Sequence, residues 1–175
     1  MAVRDILLLG NPILRRKCSA VKSPADSSVK RAMRDLSDTL QNFRAKRGFG
    51  RGIAAPQIGV GLRIIFIRMD APVAMINPKI LKRSKTMMTL WDDCFSFPDL
   101  LARVKRHSRI TVSYTDRSGK RCQLEAEGGL SELLQHEIDH LDGILAIDRA
   151  IDSRHIILRS EYEKMLKTGK DIHPL

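Results

Sequence analysis

The sequence predicts an α+β fold with antiparallel strand pairing, a helix near its N-terminus and another near its C-terminus. Three observations lead there. Apolar residues recur at helical spacing in an early segment. A long middle region breaks into short β-rich stretches separated by turn signals. Helical patterns return only after residue 128, so strands and helices come in blocks rather than in βαβ alternation.

Residues 1–22 read as an extended arm around the turn Gly10-Asn11-Pro12. Ser23-Pro24-Ala25-Asp26 opens a helix to about Lys46, with Val29, Ala32, Met33, Leu36, Leu40 and Phe43 on one face. Arg47–Gly61 is rich in glycine, contains Pro56, and excludes a regular helix. Leu62–Met69, Val73–Leu81 and Thr86–Trp91 follow as strands, the second interrupted by Asn77-Pro78. Ala102–Val104, Arg109–Thr115 and Arg121–Glu127 continue the pattern, and Asp116-Arg117-Ser118-Gly119 turns between the last two. After Gly128-Gly129 a helix spans about Leu130 to Asp142, with Gly143 placed to end it. Ser153 caps a last helix reaching about Lys167, which packs on the domain, and 168–175 form a loose polar tail.

The 175 residues fit a single domain, 1–175, and the 43% hydrophobic content suffices for a core. No apolar run approaches the roughly 18 residues of a membrane helix. The N-terminus lacks the apolar stretch and cleavage site of a signal peptide. Three cysteines, Cys18, Cys94 and Cys122, are too few and too odd in number for a disulfide scaffold, which points to a reducing cytoplasm. The formal charge of +11 attracts polyanions such as a ribosome surface, but most of it is a solvated exterior. Five Phe, two Tyr and one Trp supply little for base stacking, and nothing indicates sequence-specific nucleic-acid recognition.

The strongest chemical signal is His136-Glu137-Ile138-Asp139-His140. Histidines at i and i+4 share a helical face and reach one metal ion. Glu137, one step round the helix, can reach a metal-activated water without taking a coordination site. The third ligand stays open between Cys94 upstream and Glu161 or Glu163 downstream. A downstream carboxylate would mean a zinc peptidase, and a thiolate something else. Cys18 and Cys122 are expected to pack in the fold, and His107, His155 and His173 to lie on the surface.

Three separated segments resemble peptide deformylase: Gly50-Arg51-Gly52-Ile53-Ala54-Ala55-Pro56-Gln57-Ile58-Gly59, Asp92-Asp93-Cys94-Phe95-Ser96 and Gln135–Leu141. The start Ile6…Gly10…Pro12…Leu14-Arg15 and the phrases Ile76-Asn77-Pro78 and Tyr114-Thr115-Asp116 agree, so the resemblance covers residues 1 to about 165. It implies antiparallel strands around a central metal-binding helix. It also implies removal of the formyl group from formyl-methionyl nascent peptides, releasing formate, in the bacterial cytoplasm. Family-like sequence begins almost at Met1 and leaves no room for a transit peptide.

By the same resemblance Cys94, His136 and His140 bind one divalent metal, natively Fe(II), with Zn, Ni or Co as replacements. Glu137 is the general base, and Gln57 and the Phe95 backbone N–H stabilise the developing oxyanion. Gly52, Arg51, Glu132, Leu90 and Leu133 line the substrate site, and Asp92 pairs with Arg106.

The chain departs from the family at Asp92 (usually Glu), Asp93 (usually Gly) and Phe95 (usually Leu), and in having Arg51 and Glu132 at usually apolar positions. The shorter Asp92 predicts a shifted or water-bridged pair with Arg106. Asp93 would raise the pKa of metal-bound water or repel acidic substrates. Arg51 and Glu132 are expected to pair across the pocket mouth and to weaken methionine preference. Two alternatives compete: a His-Glu-x-x-His metallopeptidase using Glu161, and a non-catalytic ribosome-associated relative that binds formyl peptides.

Overall fold

A computed structural model describes residues 3–69 and 71–168. Helix α1 spans Ser27–Arg47 and stops at Gly48, whose left-handed backbone (φ 78°) lets its N–H reach the Arg44 carbonyl. Strands β1 (Gly52–Ala54), β2 (Ile64–Arg68) and β3 (Pro72–Arg83) follow, then β4 (Met87–Asp93), β5 (Leu100–His107), β6 (Arg109–Thr115) and β7 (Arg121–Glu127). Helix α2 covers Gly128–Leu141, β8 Ile156–Leu158 and α3 Arg159–Thr168. Five strands form one sheet in the order β1-β2-β3-β6-β7, three form another in the order β4-β5-β8, and every pairing of these strands is antiparallel.

Strand alternation decides which helix lies on which face of the larger sheet. Ile64 and Ile76 are cross-strand partners and pack with Ile53 against Val29, Ala32, Leu36 and Leu40 of α1. Their neighbours Ile65, Ile67 and Met75 point the other way and pack against Leu134, Ile138 and Leu141 of α2. A one-residue slip would turn both sets toward the wrong helix. Helix α2 also contacts β5 of the smaller sheet, so both sheets and the β1 segment surround it. This is the α+β arrangement that the sequence predicts.

The structure corrects several local expectations. The glycine-rich segment holds a three-residue strand, Gly52–Ala54, and a 3₁₀ turn, Ala55–Ile58. The interruption expected at Asn77-Pro78 is a register shift between Ile76 and Lys79 within a continuous β3. Asn77 takes φ 50°, and its amide bonds both the N–H and the carbonyl of Val21.

Ser153 does not cap a helix. Asp152 accepts from the Arg154 N–H above a 3₁₀ turn, and Ile156-Ile157-Leu158 then adds a strand to Leu100–Ala102. Two β-branched residues beside an open sheet edge gain more there than in a helix. Tyr162 of α3 packs on Trp91, with ring centroids 5.9 Å apart.

His107 and His155 are half-buried rather than free on the surface, each with Nδ1 2.8 Å from an oxygen, of Ser84 and Asp152 respectively. Cys18 is buried and Cys122 half-buried. His173 and the expected tail beyond Thr168 lie outside the described residues.

Candidate active site

Three elements converge on one buried point. Helix α2 supplies His136 and His140 one turn apart, with Glu137 beside them, and all three are buried. Cys94 follows the end of β4, in a turn closed by the Phe97 N–H on the Cys94 carbonyl. Cys94 Sγ lies 3.2 Å from His140 Nε2, which is 3.2 Å from His136 Nε2. Donor atoms of the three residues all lie within 4.8 Å of one another. One thiol and two imidazoles facing each other in a buried site form the donor set of a soft-to-borderline divalent ion. Glu161 does not join them: it is exposed on α3 and pairs with Lys164 at 2.7 Å, and Glu163 is likewise exposed. Asp92, Glu132 and His136 also lie close together, but Arg106 and Arg51 already meet those carboxylates.

The surrounding shell orients these groups. Asp92 Oδ1 lies 2.8 Å from His136 Nδ1, holding that proton and leaving Nε2 to face Cys94 and His140. Asp92 Oδ2 accepts from Arg106 Nη2 at 3.0 Å, and Arg106 continues to Asp139, which Arg149 also contacts. The pair is therefore direct, neither shifted away nor water-bridged. The rest of the carboxylate reaches the histidine, a role not read from the sequence. Burial opposes charge on His136, yet contact with Asp92 holds its pKa well above the ordinary value. Burial and the neighbouring His136 push His140 well below its ordinary value, which keeps it neutral and ready to coordinate.

Burial also pushes Glu137 up to about 7, and its Oε2 has no hydrogen-bond partner among the described residues. Such a carboxyl is poised to take and return a proton near neutral pH. Gln57 is locked by the Ala54 N–H donating to its Oε1 at 2.9 Å. Its Nε2 consequently points at Cys94 Sγ (3.5 Å) and Ser96 Oγ (3.3 Å). This is the neutral donor beside the cluster that the sequence predicts.

A cleft of about 280 Å³ opens over the cluster. Gly52, Gln57, Cys94, His136 and Glu137 line it, as do Arg51, Glu132 and Leu133. Phe49, Gly50, Phe95, Arg44 and Asp93 complete it. At Gly52 a Cβ would fall 2.6 Å from Glu137 Oε1 and 3.0 Å from Leu133 Cδ1, so only glycine fits without displacing the carboxylate. Leu90, expected to line the substrate site, is not among the lining residues; it pairs with Val104 in the smaller sheet.

Arg51 Nη2 meets Glu132 Oε2 at 2.5 Å, the expected ion pair. Asp93 is not a free charge beside the cysteine. Arg159 binds it at 2.6 Å, donates to the Pro98 carbonyl at 2.7 Å and lies over the Phe49 ring at 4.7 Å. No local pattern around Arg159 signals that partnership, since it joins residues 66 apart in sequence.

A family profile described as polypeptide deformylase matches residues 3–155. The peptide deformylase of Rhizobium meliloti is 34% identical over 174 residues, covering 96% of this chain and 97% of that protein. That of Agrobacterium fabrum is 38% identical over 154 residues, covering 85% of this chain and 87% of that protein. The crystal structure of the Thermotoga maritima peptide deformylase superposes with a TM-score of 0.80 at 32% identity, covering 87% of this chain and all (100%) of the other. A Synechococcus elongatus peptide deformylase in complex with actinonin gives 0.79 at 30% identity, over 100% of this chain and 92% of that one.

Proposed function

The chain belongs to the peptide deformylase family, and on that premise we propose how its own residues carry out the hydrolysis of N-formyl groups on nascent peptides. Cys94, His136 and His140 hold the metal, natively ferrous iron, with zinc, nickel or cobalt as replacements. When bound, the ion acidifies water and polarises the formyl oxygen. Asp92 keeps the Nδ1 proton of His136 in place, and His136 and Arg106 together favour the ionised form of Asp92 against its burial. Glu137 accepts a proton from the attacking water at its unpartnered Oε2 and returns it to the departing amine. Gln57 Nε2 and the Phe95 backbone N–H donate to the oxygen on which negative charge develops, at about 3 kcal/mol for such a donor. Water and the formyl amide become formate and a free amino terminus.

The glycine edge of β1 lets an extended peptide approach the base, with Arg51, Glu132 and Leu133 beside its first residue. Residues 1–175 act as one domain in the cytoplasm, and the +11 charge suits work beside the polyanionic ribosome. The observation that carries this reading is the buried Cys94–His136–His140 group with an orphan Glu137 oxygen beside it. The test is formate release from a formyl-Met tripeptide by protein purified and iron-loaded without oxygen. Turnover by the wild type and none by Glu137→Gln, with metal content equal in both, is expected. Absence of formate from the loaded wild type overturns the proposal and leaves the non-catalytic formyl-peptide-binding reading.

A further inference from the structure

We propose that the paired Arg51 and Glu132 select the side chain of the residue bearing the formyl group through the hydrogen-bonding groups they present rather than through their charge, favouring one that hydrogen-bonds over the apolar thioether of methionine. The proposal rests on the deformylase reading of the cleft and concerns what that cleft accepts. The formyl carbon must sit between the metal-binding group and Glu137. Standard bond lengths put the Cα of the first residue only about 2.5 Å further on. Its side chain therefore meets what flanks Glu137 and His136. Glu132 stands one helical turn before His136, and Arg51 precedes the Gly52 that touches Glu137.

The pair is built into this wall. Glu132 is 6% exposed, and Arg51 is anchored twice, by Nη2 on Glu132 Oε2 and by Nη1 on the Gly129 carbonyl at 2.8 Å. Leu90, the remaining apolar candidate, does not reach the cleft. Leu133 is the apolar lining residue that α2 supplies, beside Glu132, and Phe49 and Phe95 are the other large apolar lining residues. A thioether laid against the pair strips water from the half-exposed Arg51 guanidinium and replaces none of the hydrogen bonds lost. A carboxamide or hydroxyl replaces them.

The test compares wild type with Arg51→Leu/Glu132→Leu, which makes the wall apolar, and with Glu132→Gln, which keeps its shape. Formyl-Met, formyl-Gln and formyl-Ser tripeptides are the substrates, read as kcat/KM for formate release. In parallel, Kd values of the same peptides are read on the metal-free protein by NMR titration. The double substitution should raise the Met-to-Gln ratio at least tenfold in both readouts, the order expected when a pocket loses partners for a polar group. Glu132→Gln should give a ratio near that of the wild type. An unchanged ratio in the double variant overturns the proposal, as does a rise in Glu132→Gln equal to that in the double variant. If the loaded wild type releases no formate but the Kd ratios shift as stated, the pair keeps its role and the catalytic reading falls.

Discussion

Glu137→Gln should stabilise the metal-free protein, and by an amount that depends on pH. The carboxyl is buried near His136, Glu132, Asp92 and Arg51, and burial moves it from 4.5 to about 7. Moving a carboxyl that far costs about 3 kcal/mol of folding free energy once the group is ionised. Because the folded pKa is raised, the folded state binds the extra proton, and stability falls as pH rises between the two values. The cost is absent below 4.5, grows through the interval and is complete above about 7. Glutamine has the same shape and no charge, so it escapes this loss. Urea denaturation of metal-free protein should therefore show the two forms nearly equal at pH 4.5 or below. Glu137→Gln should be about 3 kcal/mol more stable at pH 8. Loading a divalent ion should narrow the gap, because its charge favours the ionised carboxyl. Equal differences at both pH values, or a glutamine form less stable at pH 8, would refute the premise that Glu137 is held against its own ionisation.

Other consequences can be checked separately. Cys94→Ser should lose most of its metal on dialysis and Glu161→Gln none, read by metal analysis; the reverse would restore the metallopeptidase alternative. Asp92→Asn removes the carboxylate on His136 Nδ1 and leaves Arg106 with Asp139 alone, so metal affinity should fall roughly 10–100-fold in a chelator competition. Gly52→Ala drives a methyl into Glu137 and should cut kcat roughly 100-fold while metal content stays normal; unaltered kcat would mean the carboxylate is free to move aside.

The order of elements was legible because their signals are local. The α1 stripe Val29–Leu36–Leu40, the hairpin turn at Asp116–Gly119 and the glycine after α2 each act through neighbours a few residues away. The i, i+4 histidines likewise follow from helical pitch alone. What escaped was set by distant partners. Ile156–Leu158 became a strand because β5 offered an edge, and the Gly52–Ala54 strand exists because β2 pairs with it. Asp92 could be matched to Arg106 by resemblance, but its second oxygen on His136 depends on how the smaller sheet docks against α2.

Residue types and their spacing along the chain thus determined the α+β class and the helix that carries two histidines one turn apart, since helical pitch needs no third dimension, while the reaction was implied by the resemblance to peptide deformylase. Tertiary structure alone decided that the sulfur of Cys94 meets two imidazoles 42 and 46 positions away, that Arg159 neutralises Asp93, and that Leu90 stays out of the cleft. Those outcomes depend on how two sheets pack about one helix, a balance of burial over the whole core that no local pattern records.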